Sequence, residues 1–485
     1  MHSLGPVLRV MGLLLMVFSL AYLMPIASAL IFADGTVALF LDAMAICFAG
    51  GGVLWALTRR ARRELQARDG FLLVTLAWVM MAAIATVPLM LAIPGLSFTD
   101  AFFETMSGLT TTGATVLVGL EKLPPSINLW RHELNWLGGM GIIVLAVAIL
   151  PLLGVGGMQL FKAETPGPMK DAKLTARITD TAKALWLVYF AITVICILCL
   201  RLVGMNWLDA ICHAFAALSL GGFSTYDASV GQFDSPAIEF VLIVFMMLAA
   251  MNFATHFIAW SGRSLRAYWT DSEAKALVAL IVSSILVCAT YLWVVGTYGE
   301  WMTALRHVAF NLVSIATDCG FVSVDYDKWP IFVPLWMLFL SCITVSSGST
   351  GGGIKMVRTL ILAKQGLREL QRLIHPRVVN PIRIGATAIP DQIAGAVLGF
   401  IFLYALTVGE LTFFLVASGL DFISAFTAII ACINNAGPGL NVVGPAQNFQ
   451  SLTDFQTWIC SLAMLAGRLE IFTLVVLFTP YFWKK

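Results

Sequence analysis

The chain has 485 residues, of which 59% are hydrophobic and only 12% charged, with a formal net charge of +2 and a mean hydropathy of +0.90. A soluble domain carries about 25% charged residues, and a large soluble α/β enzyme breaks its apolar runs with charged faces. The composition excludes that class and points to a polytopic membrane protein, with apolar runs near the length of a bilayer crossing all along the chain.

In chain order, residues 1–69 read as a helical hairpin with apolar runs at 8–31 and 37–57, ending in the basic run Arg59-Arg60-Ala61-Arg62-Arg63. Four units follow, at 70–168, 169–270, 271–390 and 391–485. Their outer helices begin with the apolar runs 71–93, 184–203, 276–295 and 394–417, and residues 237–260 form one further continuous run. Each unit then has a half-length apolar segment, at 100–110, 209–219, 307–317 and 424–434. At about 1.5 Å per residue, segments this short cannot cross a hydrocarbon core of roughly 30 Å.

A glycine in a small-residue loop follows each half-length segment. The four loops are Thr110-Thr111-Thr112-Gly113, Ser219-Leu220-Gly221-Gly222, Thr317-Asp318-Cys319-Gly320 and Asn434-Asn435-Ala436-Gly437, with their glycines 109, 98 and 117 residues apart. Self-similarity at such a period signals structural repeats. The repeats are parallel, each starting and ending on the same side, which argues against the inverted plan of rocking transporters. Bare loops at membrane depth are tolerated only where protein or a water-filled cavity surrounds them, and four loops about one axis meet that condition mutually. The expected fold is therefore an all-α polytopic membrane protein: an N-terminal two-helix hairpin, then four parallel helix–pore loop–helix repeats around one pore.

Charge distribution sets the expected orientation. Lys and Arg cluster at 59–68, 162–183, 263–275, 355–383 and Lys484-Lys485, and by the positive-inside rule these ends face the cytoplasm, as do both termini. Asp227, Asp234, Glu239, Asp325, Asp327 and Asp454 lie in the opposite halves with the glycine loops. Those loops then face the periplasm, with an anionic rim that concentrates cations. The nine cysteines lie in or beside apolar segments, and Cys196 and Cys199, three apart, have no further ligands near them. They read as small buried hydrophobes rather than a metal site.

Potassium, a hard cation, is held by stacked oxygens that replace its hydration shell. Aiming backbone carbonyls inward needs a sharply bent chain, which glycine permits. Gly113, Gly222, Gly320 and Gly437 are the central candidates, and carbonyls or hydroxyls of Thr110, Thr111, Thr112, Ser219, Leu220, Gly221, Thr317, Asp318, Cys319, Asn434, Asn435 and Ala436 complete the oxygen cage. One such glycine reads as a turn or helix-packing residue; four in register favour a pore. With a single filter glycine per repeat, discrimination of K⁺ from Na⁺ is expected to be weaker than in tetrameric potassium channels. Asp318 puts a carboxylate beside one filter glycine, where it either attracts cations or pairs locally at a helix end.

The third returning helix is interrupted at Ser346-Ser347-Gly348-Ser349-Thr350-Gly351-Gly352-Gly353-Ile354-Lys355. Four glycines in six residues cannot hold a helix, at about 1 kcal/mol each against Ala. A phosphate-cradling loop fails here because Ile354, not Lys, follows Gly353. A mobile plug beneath the filter is the better reading, a plain helix break the blander one. Arg468, inside the last apolar segment, costs roughly 2.5–3.5 kcal/mol at mid-membrane and normally faces a water-filled path. It reads as an electrostatic barrier held by Glu470, or as a structural Arg–Glu pair. The basic segment 355–383 docks a cytosolic partner or contacts anionic lipid.

In combination, Asp100-Ala-Phe-Phe-Glu104, Gly108-Leu-Thr-Thr-Thr-Gly-Ala-Thr115, Trp136-Leu-Gly-Gly-Met-Gly-Ile-Ile143, Gly221-Gly-Phe-Ser-Thr225, Gly348-Ser-Thr-Gly-Gly-Gly353, Asn434-Asn-Ala-Gly-Pro-Gly-Leu440 and Gly467-Arg-Leu-Glu470 resemble the membrane subunits of bacterial Trk potassium uptake systems, in the wider Trk/Ktr/HKT superfamily. The resemblance covers essentially the whole chain. It implies one pore per chain in the bacterial inner membrane, a K⁺ filter at the four glycines, a gating loop at 348–353 and a pore arginine at Arg468. It also implies a homodimer and a cytosolic regulatory subunit, a TrkA-like ring that binds NAD(H) or ATP/ADP. No organic cofactor and no nucleic-acid partner is implied, and K⁺ is the transported ion. The stretch Thr344-Val345-Ser346-Ser347 and Asp318 depart from the family pattern. The N-terminal run carries a cleavage-like Ala27-Ser28-Ala29 behind a weak basic region with only Arg9, and the resemblance favours a retained helix. The rival functions are a K⁺ symporter coupled to H⁺ or Na⁺, with Asp318 and Glu470 as titratable candidates, and an embedded enzyme. The scattering of His2, His132, His213, His256, His307 and His375 argues against the enzyme.

Overall fold

The structure is a computed structural model and describes residues 4–61, 63, 65–141, 178–385 and 387–483. The boundary expected at 168/169, most of the basic cluster 162–183, Ile142-Ile143, Arg62 and Lys484-Lys485 lie outside the described residues.

The N-terminal run forms a 28-residue span from Gly5 to Phe32, carried through Ser19–Tyr22 by a tighter turn, and packs along Val37–Thr58. Gly12 and Gly51 make this pairing close: a Cβ at Gly12 would stand 2.6 Å from the Gly51 carbonyl oxygen. With no hydrophobic drive between helices in lipid, close backbone approach through small residues is what holds such a pair. Six described helices are long and apolar enough to cross a membrane, or eight if two bent pairs each count as one span. Side chains such as Leu57, Leu202, Phe402 and Phe413 are exposed on the lateral surface. In water such a surface aggregates; in hydrocarbon it is matched to its solvent.

The half-length helices are Phe98–Leu109, Trp207–Ser219, Trp301–Ala316 and Phe422–Asn434. Three start where a short polar side chain takes up an orphan amide: Ser97 accepts from Asp100 N, Asn206 from Asp209 N and Asp421 from Ser424 N. The third starts after Glu300 without a side-chain cap and runs to 16 residues, longer than its sequence segment.

Each half-length helix is followed by a returning helix: Pro125–Gly139, Pro236–Ala250, Phe332–Ile343 and Asp454–Arg468. The sequence marks an interruption only in the third. Among the described residues the second and fourth also break, turning by 97° into Phe253–Ser261 and by 109° into Phe472–Phe478. Residues 237–260 are therefore not one straight span. The break falls at Met251, which is extended, and Asn252 restarts the helix by accepting from Ala254 N. Hydropathy cannot see that cap, because the residues on both sides are equally apolar. After the third break the amphipathic helix Met356–Ile374 leads into a short hairpin pairing Arg383–Ile384 with Thr387–Ala388.

Candidate functional site

All four half-length helices end in the same hydrogen-bonded turn. The amides of Thr112, Gly221, Cys319 and Ala436 each donate to the carbonyl five residues back, at 2.8 Å in every case. The preceding amides of Thr111, Leu220, Asp318 and Asn435 donate three residues back, at 3.0–3.3 Å. This pairing is a Schellman turn, and it places the residue after the cap in the left-handed region. That residue is Thr111, Leu220, Asp318 or Asn435, with φ of 57, 56, 66 and 59°. A side chain there costs about 1–2 kcal/mol, least for Asn and Asp, which gives Asp318 and Asn435 a local structural reason.

The glycine two residues later is left-handed again, with φ of 78° at Gly113, 60° at Gly222, 88° at Gly320 and 88° at Gly437. The four loops close a ring. A Cβ on Gly113 would strike the carbonyl oxygen of Gly221, and one on Gly222 that of Cys319. One on Gly320 would stand 2.5 Å from the oxygen of Ala436, and one on Gly437 2.8 Å from that of Thr112. Each glycine thus leaves room for the carbonyl of the next loop, and the circuit returns to its start.

The loop hydroxyls donate to their own helices. Thr110 and Thr317 donate to Met106 O and Val313 O at 2.7 Å, and Ser219 to Ala216 O at 3.2 Å. The Asn434 side chain turns away from the ring, donating to Ser341 Oγ and accepting from Tyr404 at 2.7 Å. Those hydroxyls spend their hydrogens on their own helices and keep oxygen lone pairs to offer, whereas the Asn434 amide oxygen is taken up by Tyr404. Asn435 donates to Thr112 Oγ1 and Met464 O, both at 3.0 Å, tying the fourth loop to the first.

Beyond the glycines the chain runs out to a mouth, a depression lined by Gly113, Gly222, Gly320 and Gly437 together with Tyr226, Asp227 and Asn448. Each outgoing segment is tied back to its own half-length helix by a polar side chain. Glu104 accepts from Thr115 Oγ1 at 3.0 Å and Val116 N at 3.1 Å; His213 Nε2 meets Ser224 Oγ at 3.0 Å. Asn311 accepts from Ser323 N at 3.1 Å, and Thr427 from Leu440 N at 3.0 Å. Sequence reasoning gave none of the four this bracing role, although they stand nine, nine, nine and ten residues before the ring glycines. Glu104 is also paired with Arg131 at 2.7 Å, both side chains at most 1% exposed, and the guanidinium lies 4.4 Å from the Phe223 ring centre. At the rim, burial and the neighbouring Asp209 carboxylate push the Tyr226 phenol up to about 12, so it stays protonated and donates to Asp209 at 2.9 Å.

The glycine-rich loop predicted as a plug runs across the underside, where the half-length helices end. Ser346 N donates to Ala250 O at 2.9 Å, Thr350 Oγ1 to Leu218 O at 3.0 Å, and Ser347 N to Glu273 Oε2 at 2.8 Å. A Cβ on Gly351 would stand 3.2 Å from Thr317 O, and one on Gly352 would strike Asn434 O. Gly348 and Gly353 turn the chain at positive φ, 74 and 69°. Ser349 closes a local turn by donating to Ser346 O at 2.6 Å. Arg468 reaches the same place from the fourth returning helix, donating to Thr350 O at 2.8 Å, Gly139 O at 3.0 Å, Thr111 Oγ1 at 3.3 Å and Gly138 O. Lys355 donates to Gly351 O, and Glu470 pairs with Arg358 at 2.6 Å, a partner the sequence does not suggest.

Short half-helices converging on a ring of glycine loops in a helical membrane protein are the architecture of a transport protein. The family model described as "TrkH: Cation transport protein" matches residues 37–485, and the chain belongs to that family. It is 47% identical to the "Trk system potassium uptake protein TrkH" of Halomonas elongata over the full length of both chains. It is 38% identical to the "Trk system potassium uptake protein TrkG" of Escherichia coli K12, over 98% of this chain and 97% of that one. The crystal structure of the potassium transporter TrkH from Vibrio parahaemolyticus superposes with a TM-score of 0.89 at 43% identity, covering 99% of this chain and all of that one.

Proposed function

We propose that this protein carries potassium into the bacterial cell through a gated, K⁺-selective pore in the inner membrane, with the glycine ring as its filter. The observation that carries this reading is the closed circuit in which each positive-φ glycine leaves space for the next loop's carbonyl. Such a ring offers oxygens to a dehydrating cation, at the partly negative C-terminal ends of four helices. The mouth faces the periplasm and the underside the cytoplasm, so the inside-negative potential favours entry by about 2.3 kcal/mol per charge per 100 mV. The loop 348–353 and Arg468 obstruct the path beneath the filter. A homodimer regulated by a cytosolic TrkA-like ring is the assembly that the resemblance supports, and nucleotide shifts the gate only if the ring binds open and closed states differently.

The test is ⁸⁶Rb⁺ uptake into liposomes containing the purified chain, at fixed voltage, with and without a pH gradient. Uptake suppressed far better by K⁺ than by Na⁺, and indifferent to the pH gradient, is expected. Uptake that follows the pH gradient at constant voltage would instead establish H⁺ symport.

A further inference from the structure

Directly beneath the ring lie three buried side-chain oxygens with no hydrogen-bond donor: both carboxylate oxygens of Asp318 and the amide oxygen of Asn435. The two residues hold the same left-handed position in neighbouring loops, and they are 0% and 1% exposed. Both face the same point of the glycine-rich loop. A Cβ at Gly352 would stand 3.0 Å from Asn435 Oδ1, and the Gly352 amide is turned toward the Asp318 carboxylate without completing a hydrogen bond. A buried carboxylate without donors is costly unless a cation meets it.

One cation is already within electrostatic reach. Lys355 is 3% exposed, its ammonium acts on Asp318, and it donates to Gly351 O rather than to the carboxylate. Its backbone is left-handed, φ 77°, a strained conformation for a lysine that is held by the loop around it. Glu470 pulls the same ammonium from another side, while Arg468 and Arg358 repel it. The lysine therefore has a second acid to move toward when the loop leaves.

We propose that Asp318, with Asn435, forms a further monovalent-cation site immediately below the ring, and that the Lys355 ammonium is a tethered cation occupying its field while the loop is in place. The proposal rests on the pore reading above. The permeant ion and the loop then compete for one carboxylate. Competition of this kind is reciprocal: an ion at Asp318 weakens the seating of the loop by the factor that the seated loop weakens the ion. Ion occupancy below the filter thereby favours the open pore, and an emptied pore favours the loop. Leu220 and Thr111, at the equivalent position in the other two loops, carry no charge, so this field is confined to one side of the ring.

Equilibrium binding of ⁸⁶Rb⁺ to the purified full-length chain in detergent tests this without any need for flux. Lys355→Gln should tighten the weaker, Asp318-dependent phase of Rb⁺ binding about tenfold or more over wild type, in which the lysine competes, and Lys355→Gln/Asp318→Asn should lack that phase. Equal binding by those two variants overturns the proposal. If Lys355→Gln does not fold, Asp318→Asn alone decides: it should abolish the weaker phase of the wild-type isotherm, and an unchanged isotherm overturns the proposal. Gly222→Ser separates the two readings. Filter binding that falls in Gly222→Ser, with no Asp318-dependent site in any variant, leaves the pore reading standing and removes this one. An Asp318-dependent site with binding indifferent to Gly222→Ser removes the filter reading, and with it the competition between permeant ion and loop. No Rb⁺ binding in any variant removes both.

Discussion

The two faces of the glycine ring hold their charges in opposite ways. On the mouth side the Glu104–Arg131 pair is buried with its hydrogen bonds distributed over Thr115, Val116, Asn128 and Ser224. On the underside Arg468 and Lys355 donate to backbone carbonyls of Gly139, Thr350 and Gly351, while Asp318, Asn435, Ser346 and Ser347 keep buried oxygens without donors. A satisfied network has one arrangement and rigidifies what it touches. A partly satisfied one has alternatives close in energy, which is what a moving part needs. On the proposed gated-pore reading, the mouth face is the scaffold and the underside the part that moves.

Substitutions can break that division, and the largest effect belongs to the scaffold. Arg131→Met leaves the Glu104 carboxylate buried and unpaired, and should cost about 3–5 kcal/mol of stability. Thermal unfolding in detergent reads this, and a cost below about 1 kcal/mol would remove the bracing role. Next comes the ring itself. Gly222→Ser puts a side chain into the Cys319 carbonyl and should lower the preference for K⁺ over Na⁺ in Rb⁺ uptake competition by about tenfold, equivalent to roughly 1.4 kcal/mol of differential binding. An unchanged ratio would count against the ring as filter. On the underside, Arg468→Ala takes donors from Thr350 O, Gly139 O and Gly138 O, and should cost about 1–3 kcal/mol while raising basal Rb⁺ flux several-fold; a folded variant as slow as wild type would place the barrier elsewhere.

The smallest effect is expected far from the ring. Partial burial pushes the Asp34 carboxyl up, but hydrogen bonds from Ser126 and Thr36 outweigh it and hold it below its ordinary value. Its stabilising contribution is therefore present above the ordinary Asp range, near pH 4, and is lost as pH falls below it. Asp34→Asn should cost about 0.5–1.5 kcal/mol at pH 7, and wild type and variant should converge in acid. A gap in unfolding temperature that persists at pH 3 would contradict this.

Much of the fold was legible in the sequence because hydropathy reports full crossings directly: the runs at 37–57, 71–93 and 276–295 appear as Val37–Thr58, Ala67–Ala92 and Ser272–Val294. The glycine loops were legible because each follows an apolar segment too short to cross. Other features were hidden for identifiable reasons. The break at Met251 carries neither Gly nor Pro, and only the cap at Asn252 betrays it. Asp318 looked anomalous as a filter residue, yet it fits a Schellman position whose left-handed backbone suits Asp and Asn, a constraint visible only once the turn is drawn. The bracing role of Glu104, His213, Asn311 and Thr427 went unread because their residue types differ from repeat to repeat, and their meaning lies in a shared distance from the ring glycines.

The most direct test of the central claim is to locate the ion. Diffraction from crystals grown in Rb⁺, with data at the rubidium absorption edge, should show anomalous density on the axis of the ring, within coordinating distance of carbonyls from all four loops. Ordered rubidium bound only elsewhere, with the ring axis empty, would contradict the account.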